Sequence, residues 1–187
     1  MKSIPLAAIS LLLSFVCLSH ATNVSTRLTP KRLIDPNPTG QLQLIIGAGS
    51  SPEYLDQWVS TPSSTPIGIP RIRQCVPNQM VYFGFFVTGY AVSANGQMNC
   101  TAEVKVLHPD GTAAFDKPFR ATTKGPTSRK GFIALNPAMD LTLENTDPEG
   151  LYRIVGTLTD HVTGMSTQAI YKIEFGKGQP KPVQQRN

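Results

Sequence analysis

Alternation of polar and apolar residues is the main pattern in this chain beyond residue 40. Even-numbered residues from Met98 to Val106 are apolar or small, whereas odd-numbered residues from Asn99 to Lys105 are polar. A period of two places these sets on opposite faces, so the segment is predicted to be a strand with one buried face. Residues 165–175 also alternate, and the aromatic run 80–88 is typical of a core strand.

Turn signals separate such segments along the chain. Asn95-Gly96, Pro109-Asp110-Gly111 and Asp147-Pro148-Glu149-Gly150 are the clearest. The predicted strands are 41–46, 80–88, 98–107, 112–115, 131–135, 141–143, 151–159 and 165–175, with residues 116–130 irregular. Gly84, inside the core strand, indicates a bulge or a close approach of backbone. Without a βαβ pattern or an internal repeat, the prediction is an all-β, antiparallel, immunoglobulin-like sandwich of about seven strands.

One short helix is predicted before the sandwich, over residues 52–60. Ser51 is a suitable N-cap, Pro52 suits the first helical position, and a Thr/Pro-rich linker follows the helix. Tyr54 and Trp58 are four residues apart and share a helix face. Two interpretations stay open: the pair caps an end of the sandwich, or it is an anchor that contacts a partner protein.

The N-terminus has the composition of a secretion signal. Lys2 precedes an apolar run of about 15 residues, and Ser19-His20-Ala21 fits a cleavage site. The alternative, a membrane anchor, needs roughly 20 apolar residues. We therefore expect a signal peptide at 1–21, a disordered leader at 22–40, one domain at 41–175 and a disordered tail at 176–187, in a periplasmic or secreted protein with no transmembrane segment.

Cys75 and Cys100 remain after the expected cleavage. An even number of cysteines in an exported chain favours a disulfide between them. The alternatives are a metal site or a reactive thiol, but the spacing contains no CxxC and no nearby histidine.

The formal net charge of +5 does not indicate a nucleic-acid-binding protein. Basic and acidic residues nearly balance within 41–175, and the positive excess lies in the two tails. A nucleic-acid-binding surface concentrates positive charge and aromatic side chains on one folded face.

No residue pattern in the chain specifies a catalytic or metal site. His108 and His161 are predicted in turns, and Asp160 beside His161 suits a backbone-capping role better than a catalytic one. Asp147 and Glu149 lack the spacing of a calcium loop. The stretch Gly47–Ser51 before the helix lacks the lysine of a phosphate-binding loop. We therefore predict no cofactor, no metal and no enzymatic activity.

The C-terminal third resembles a known kind of domain. Asp147-Pro148-Glu149-Gly150-Leu151-Tyr152, followed by Asp160 and Gly164, resembles the closing hairpin of immunoglobulin-like domains in bacterial envelope proteins. The layout over 52–175 is similar to uncharacterised proteobacterial periplasmic proteins. Asn23 and Asn99 begin glycosylation sequons, which matter only in a eukaryotic secretory pathway.

Together these features predict a non-enzymatic binding or accessory module of the cell envelope that acts through protein–protein contact. Its expected partner is another envelope protein. One alternative is a pilin-like subunit that donates the strand Gln41–Ile46 to a neighbour. The other alternative is a secreted hydrolase, which loss of activity on changing His108 or His161 would support.

Overall fold

A computed structural model describes residues 41–61, 67–126 and 131–178. The predicted signal peptide at 1–21, the leader at 22–40 with Asn23, and the tail beyond residue 178 lie outside these ranges. Within them, no helix is both long enough and apolar enough to cross a bilayer.

The described chain is mostly β, with one short helix, which confirms the coarse prediction. The helix α1 spans Glu53–Ser60, and the Glu53 amide donates to Ser51 Oγ at 3.2 Å. The strands in chain order are β1 (Gln43–Gly49), β2 (Gln74–Cys75), β3 (Met80–Thr88), β4 (Gln97–Leu107), β5 (Phe119–Pro126), β6 (Ile133–Thr142), β7 (Gly150–Asp160) and β8 (Ser166–Phe175).

The strands form one mixed sheet rather than the predicted antiparallel sandwich of about seven strands. Their order is β1-β3-β6-β5-β4-β7-β8-β2, an eight-stranded sheet curled into a half-barrel. Strand β2 runs parallel to β8, and the other pairs are antiparallel. The prediction of a two-sheet antiparallel sandwich is corrected because β5 and β6 join what would otherwise be two separate sheets.

That junction depends on an irregularity in β6, which was predicted as two strands at 131–135 and 141–143. Phe85 pairs with Leu135 and Phe83 with Met139, so β6 carries extra residues opposite Gly84. Within these extra residues, Asn136 pairs with Thr122 of β5. The predicted bulge at Gly84 is confirmed, and the extra length in β6 connects the two halves of the sheet.

Strand β5 lies in a stretch predicted to be irregular. Its pairing with β4 runs from Gln97 opposite Pro126 to Val104 opposite Phe119. Its inward positions hold the partly buried Phe119, which packs on Phe85, then the fully buried Ala121, and then Thr123 and Gly125. The strand has little apolar content because small and polar residues follow Phe119 along its inner face.

A short segment between α1 and β3 brings the two outer edges of the sheet together. The Ala48 amide donates to the Pro70 carbonyl at 2.9 Å, and the Ile72 amide donates to the Ala48 carbonyl at 3.0 Å. A few residues later, the Glu174 amide of β8 donates to the Arg73 carbonyl at 2.8 Å. Residues 70–75 therefore contact β1 and then β8, which encloses the concave side of the sheet.

Two hydrophobic clusters lie on opposite sides of the β1–β3–β6 half. The inner core fills the concave side and includes Phe83, Phe85, Tyr152, Ile154, Ile173 and Phe175, all essentially without exposure. The outer cluster lies beneath α1 and is formed by Trp58, Ile69, Phe86 and Phe132, with Tyr54 and Leu55 packed against them. The helix thus covers the convex side of this half of the sheet.

Cys75 and Cys100 are both free and buried, so the predicted disulfide is not formed in this fold. Cys75 aligns with Phe175, which pairs with Gly150 at one end of β7, whereas Cys100 pairs with Asp160 at the other end. Ten residue steps along a strand separate these ends by roughly 30 Å, and a disulfide needs Cα atoms within about 7 Å. Burial raises the pKa of Cys75 to about 11 and that of Cys100 to about 12, which keeps both thiols protonated and unreactive.

Candidate functional site

Tyr54 and Trp58, for which both packing against the sandwich and contact with a partner protein stayed open, pack within the chain. Trp58 is 8% exposed and packs on Phe86 with ring centroids 4.5 Å apart. The Tyr54 hydroxyl donates to the Tyr82 carbonyl at 3.1 Å, and burial raises the pKa of this phenol. The structure places both side chains against the sheet, where they hold α1 in position.

Asp160 and His161 are adjacent in sequence but do not form a catalytic pair. The buried Asp160 carboxylate accepts from the Ala91 amide at 2.8 Å and from the Val162 amide at 2.9 Å. His161 Nε2 instead lies 3.0 Å from Thr101 Oγ1 on the neighbouring strand. The prediction that Asp160 bonds to backbone in a hairpin turn is confirmed.

Asp147 and Glu149 likewise have structural partners of their own. Asp147 Oδ2 accepts from the Glu144 amide at 2.6 Å, and the Asp147 amide donates to the Glu144 carbonyl at 3.0 Å. Glu149 forms an exposed ion pair with Lys177 at 3.8 Å. Across the described ranges, no group of three histidine, cysteine or acidic side chains is placed to hold a metal ion.

A cleft lies between the turn that follows β4 and the turn that follows β6, and we refer to it as the Phe115 cleft. Its volume is about 270 Å³. Its polar lining consists of His108, Thr142, Glu144, Thr146 and Asp147, and its apolar lining consists of Ala114, Phe115, Leu141 and Leu143. Apolar walls with a few convergent polar groups are the usual composition of a ligand site.

Local hydrogen bonds fix the turn that follows β4, which forms one wall of the cleft. The His108 amide donates to the Thr112 carbonyl and the Gly111 amide to the His108 carbonyl, each at 2.9 Å. Asp110 Oδ1 accepts from the Thr112 amide at 2.8 Å, and this bond lowers the pKa of the Asp110 carboxyl. The tight turn brings the chain back along β4 and leaves Phe115 55% exposed at the cleft. A large aromatic ring left in solvent by an ordered turn is available to a ligand.

Tyr152 joins the two walls of the cleft. Its side chain is fully buried and its hydroxyl donates to the Pro148 carbonyl at 2.9 Å, next to the Glu144–Asp147 turn. Burial, and then the Asp147 carboxylate, raise the pKa of Tyr152, so the phenol stays protonated. His108 Nδ1 lies 3.4 Å from the same oxygen, with the two rings edge to face at 5.5 Å. Tyr152 therefore fixes the position of both turns.

This hydrogen-bond chain selects one tautomer of His108. Because the Tyr152 proton goes to the Pro148 carbonyl, the phenol oxygen is left to accept a proton from His108 Nδ1. A neutral imidazole that is protonated on Nδ1 carries its lone pair on Nε2. The site accordingly combines an imidazole base, two carboxylates, two threonine hydroxyls and an exposed aromatic ring.

Sequence reasoning placed His108 and Asp147 in turns but did not bring those turns together. It also passed over Phe115 and Glu144 as residues of a site. The motif Gly150-Leu151-Tyr152, noted for its resemblance to a closing hairpin, was the available signal. The hydroxyl of a buried tyrosine needs a hydrogen-bond partner. For Tyr152 that partner lies in the turn just before its strand, which indicates that this turn has a fixed structure.

Comparison with known proteins identifies no family for this chain. No family model matches it, and no curated protein does. Among solved structures it is similar to a family 123 glycoside hydrolase from Clostridium perfringens, described in a study of glycolipid glycan hydrolysis, with a TM-score of 0.42 and 10% sequence identity. The match covers 73% of this chain and 28% of that chain, so the chain spans less than a third of that structure.

That finding contradicts the prediction of a non-enzymatic envelope module that acts through protein–protein contact, because the similar structure is a hydrolase. Neither that prediction nor its pilin-like alternative is pursued below. At this TM-score the likeness carries no argument about activity, so function is argued from the Phe115 cleft alone.

Proposed function

We propose that this protein binds a small sugar-like ligand, one ring in size, in the Phe115 cleft. The observation that carries the proposal is the exposed Phe115 ring in the same cavity as the hydrogen-bonding side chains of His108, Glu144 and Asp147. An aromatic face packs against the C–H face of a sugar ring while carboxylates accept hydrogen bonds from its hydroxyls.

The size of the cleft supports a ligand of one ring. Sites for drug-sized molecules begin near roughly 300 Å³, and this cavity of about 270 Å³ lies just below that range. Its floor at Leu141 and Leu143 is buried and apolar, whereas its polar groups lie towards the mouth. A ligand with one apolar face and several hydroxyls matches this distribution.

The polar groups favour a polyhydroxylated ligand over an organic cation. Thr142 and Thr146 each offer both a donor and an acceptor, as sugar hydroxyls do, and His108 Nε2 offers an acceptor. An ammonium group carries donors only, and its recognition through aromatic rings uses a cage of several faces. Phe115 and the His108 imidazole are the two aromatic rings among the residues that line this cleft, too few for such a cage.

Titration followed by NMR tests the proposal directly. Neutral monosaccharides and their amino-sugar counterparts are added to the labelled protein, with choline as the cationic comparison. We expect shifts at Phe115 and Thr142 with a sugar, and an affinity about tenfold weaker in Phe115→Ala. Met165→Ala is the matched control, because Met165 is equally exposed but lies at the opposite end of β7 and β8. Shifts with choline alone, or equal loss in both variants, would refute the proposal.

A second candidate function, hydrolysis at the same cleft, is favoured by the His108–Tyr152 contact. That contact orients the imidazole and leaves Nε2 as a base beside two carboxylates, as general acid–base catalysis requires. Chromogenic glycosides and sugar esters are the substrates to screen. We expect turnover to fall about 100-fold in His108→Gln and to be unchanged in His161→Gln. Absence of turnover on every substrate rejects this candidate and leaves the binding proposal standing.

A further inference from the structure

The convex side of the β4–β7–β8 half has no covering element among the described residues. We call the part of it near Gly150 and Phe175 the open face. Its outward side chains are Lys105, Leu107, Leu151, Arg153, Val155, Ile170, Lys172 and Glu174, which alternate with buried residues along the three strands. They form a flat surface that mixes apolar groups with three cations and one carboxylate.

Three cations on the open face are crowded together. Arg153 of β7 pairs directly with Lys172 of β8, and Lys105 pairs with Val155, one outward position along β7 from Arg153. Opposite residues in adjacent strands have Cβ atoms about 5 Å apart, and diagonal ones about 7–8 Å. Like charges placed directly opposite destabilise a sheet. An anion bound between Arg153 and Lys172 would offset this repulsion.

One carboxylate, that of Glu174 in β8, shares the open face with these cations, opposite Leu151 and one outward position along β8 from Lys172, and no ion pair to it is formed among the described residues. Glu103, the nearest acid on β4, is paired with Arg120 at 2.6 Å. Glu149 is paired with Lys177, and none of Lys105, Arg153 and Lys172 forms an ion pair with another described residue. Arg153 Nη2 lies close to Gly111, 3.0 Å from the place where a Cβ on that glycine would stand. The three cations of the open face therefore outnumber its one carboxylate, Glu174, and the face keeps a net positive charge.

Exposed hydrophobic side chains lie between these cations. Ile170 is 55% exposed and pairs across the sheet with the half-buried Val155, and Leu151 is 40% exposed at the end of the face. Apolar side chains surrounded by cations are the composition of a surface that enters the headgroup region of a bilayer. A soluble polyanion satisfies the cations but leaves Ile170 and Leu151 in water.

We propose that the open face docks on an anionic lipid surface. Lys105, Arg153 and Lys172 contact lipid phosphates, while Ile170, Val155 and Leu151 enter the interface between them. The proposal is independent of sugar binding in the Phe115 cleft. That cleft lies at the same end of the sheet, since Pro109 packs against Gly150, so docking would place it close to the membrane.

Vesicle co-sedimentation tests this proposal on the purified protein. The two probes are vesicles of phosphatidylglycerol and phosphatidylcholine in equal parts, and vesicles of phosphatidylcholine alone. The test variant is Lys105→Glu/Lys172→Glu, and the matched control is Lys117→Glu/Lys124→Glu, which makes the same charge change at exposed positions elsewhere. Basic residues in the tails are unchanged in both variants, so the difference between them reports the open face.

The wild-type protein is expected to bind the anionic vesicles and not the neutral ones. The test variant should bind at least about 25-fold more weakly than wild type, at about fivefold per lysine removed, and the control should lose far less. Ile170→Ser should weaken binding about tenfold, whereas Val59→Ser on the exposed side of α1 should not change it.

Three outcomes overturn the proposal: no binding of wild type to anionic vesicles, equal loss in the two double variants, or binding to dextran sulfate without binding to vesicles. The test variant places glutamates beside Arg153, so we expect it to fold at least as stably as wild type. Its melting temperature, measured by circular dichroism, separates loss of docking from loss of fold.

Discussion

The two halves of the curled sheet differ in their convex sides: α1 covers one of them, and no described element covers the other. On the β1–β3–β6 half, the outward positions beneath α1 hold glycine or apolar residues. On the β4–β7–β8 half, outward positions hold polar residues, charged residues of both signs and isolated aliphatic residues, and no described element covers them. The same alternating backbone thus supports a covered face and an open face, and the outward residues alone decide which one forms.

Residue size explains how the covered face forms. A Cβ on Gly84 would lie 2.6 Å from Leu55 Cδ2, and one on Gly49 would lie 2.8 Å from the Tyr54 ring. Both distances are shorter than van der Waals contact, so α1 packs this closely only because these positions lack a side chain. The open face has bulky or charged side chains at its outward positions, which hold any helix away and leave the surface to another kind of partner.

The largest expected effect comes from removing the centre of the covered face. Trp58→Ala deletes a ring that packs on Phe86 and Phe132, so we expect a loss of about 3–5 kcal/mol in the free energy of unfolding. Urea denaturation followed by circular dichroism measures it. Val59→Ala, one residue along the helix at a position 78% exposed, should change stability by less than about 0.5 kcal/mol. If Trp58→Ala also lost less than about 0.5 kcal/mol, the packing of α1 would not be stabilising the sheet.

A smaller loss is expected from adding one methyl group beneath the helix. Gly84→Ala forces Leu55 and Tyr54 away from the sheet, and overpacking of this kind costs about 1–3 kcal/mol. The same denaturation measurement applies, with Thr157→Ala as the control on the exposed side of β7. If Gly84→Ala is as stable as wild type, the close approach of α1 is not what requires glycine here.

The existence of β1, β3, β4 and the β7–β8 hairpin was predictable from sequence, because those strands alternate strongly or are continuously apolar, whereas β6 was predicted as two short strands because Asn136 and Pro137 interrupt its pattern. The helix and the bulge at Gly84 were predictable for the same local reasons. Strand β5 was missed because Thr123 and Gly125 lie on its inward face and give no hydrophobic period. Strand β2 was missed because two residues that pair in parallel with β8 are specified by tertiary contact alone.

The Phe115 cleft and the disulfide show the same limit at the level of the site. Which turns meet depends on the register of β4 against β7, in which Leu107 aligns with Arg153, and no local pattern sets that register. The even number of cysteines left after the expected cleavage predicted a disulfide between Cys75 and Cys100, but the register places them at opposite ends of β7. Tyr54 and Trp58 were seen to share a helix face, yet the close approach of α1 to the sheet depends on Gly49 at the end of β1 and on Gly84 in the more distant β3.

The smallest expected effect has the opposite sign and lies on the open face. Lys172→Glu replaces a like-charge pair with an ion pair opposite Arg153, so we expect a gain of about 0.2–1 kcal/mol in stability. Lys124→Glu, exposed on β5 and opposite Asn99, should bring no such gain. Denaturation at low and at high salt measures it, and the gain should shrink as salt screens the pair. A stabilised Lys172→Glu protein that binds anionic vesicles more weakly would mean that the like-charge pair is kept for docking at the expense of stability. An unchanged or lower stability would mean that the two cations are already accommodated by the sheet, and the contrast between the covered and open faces would then rest on their apolar residues alone.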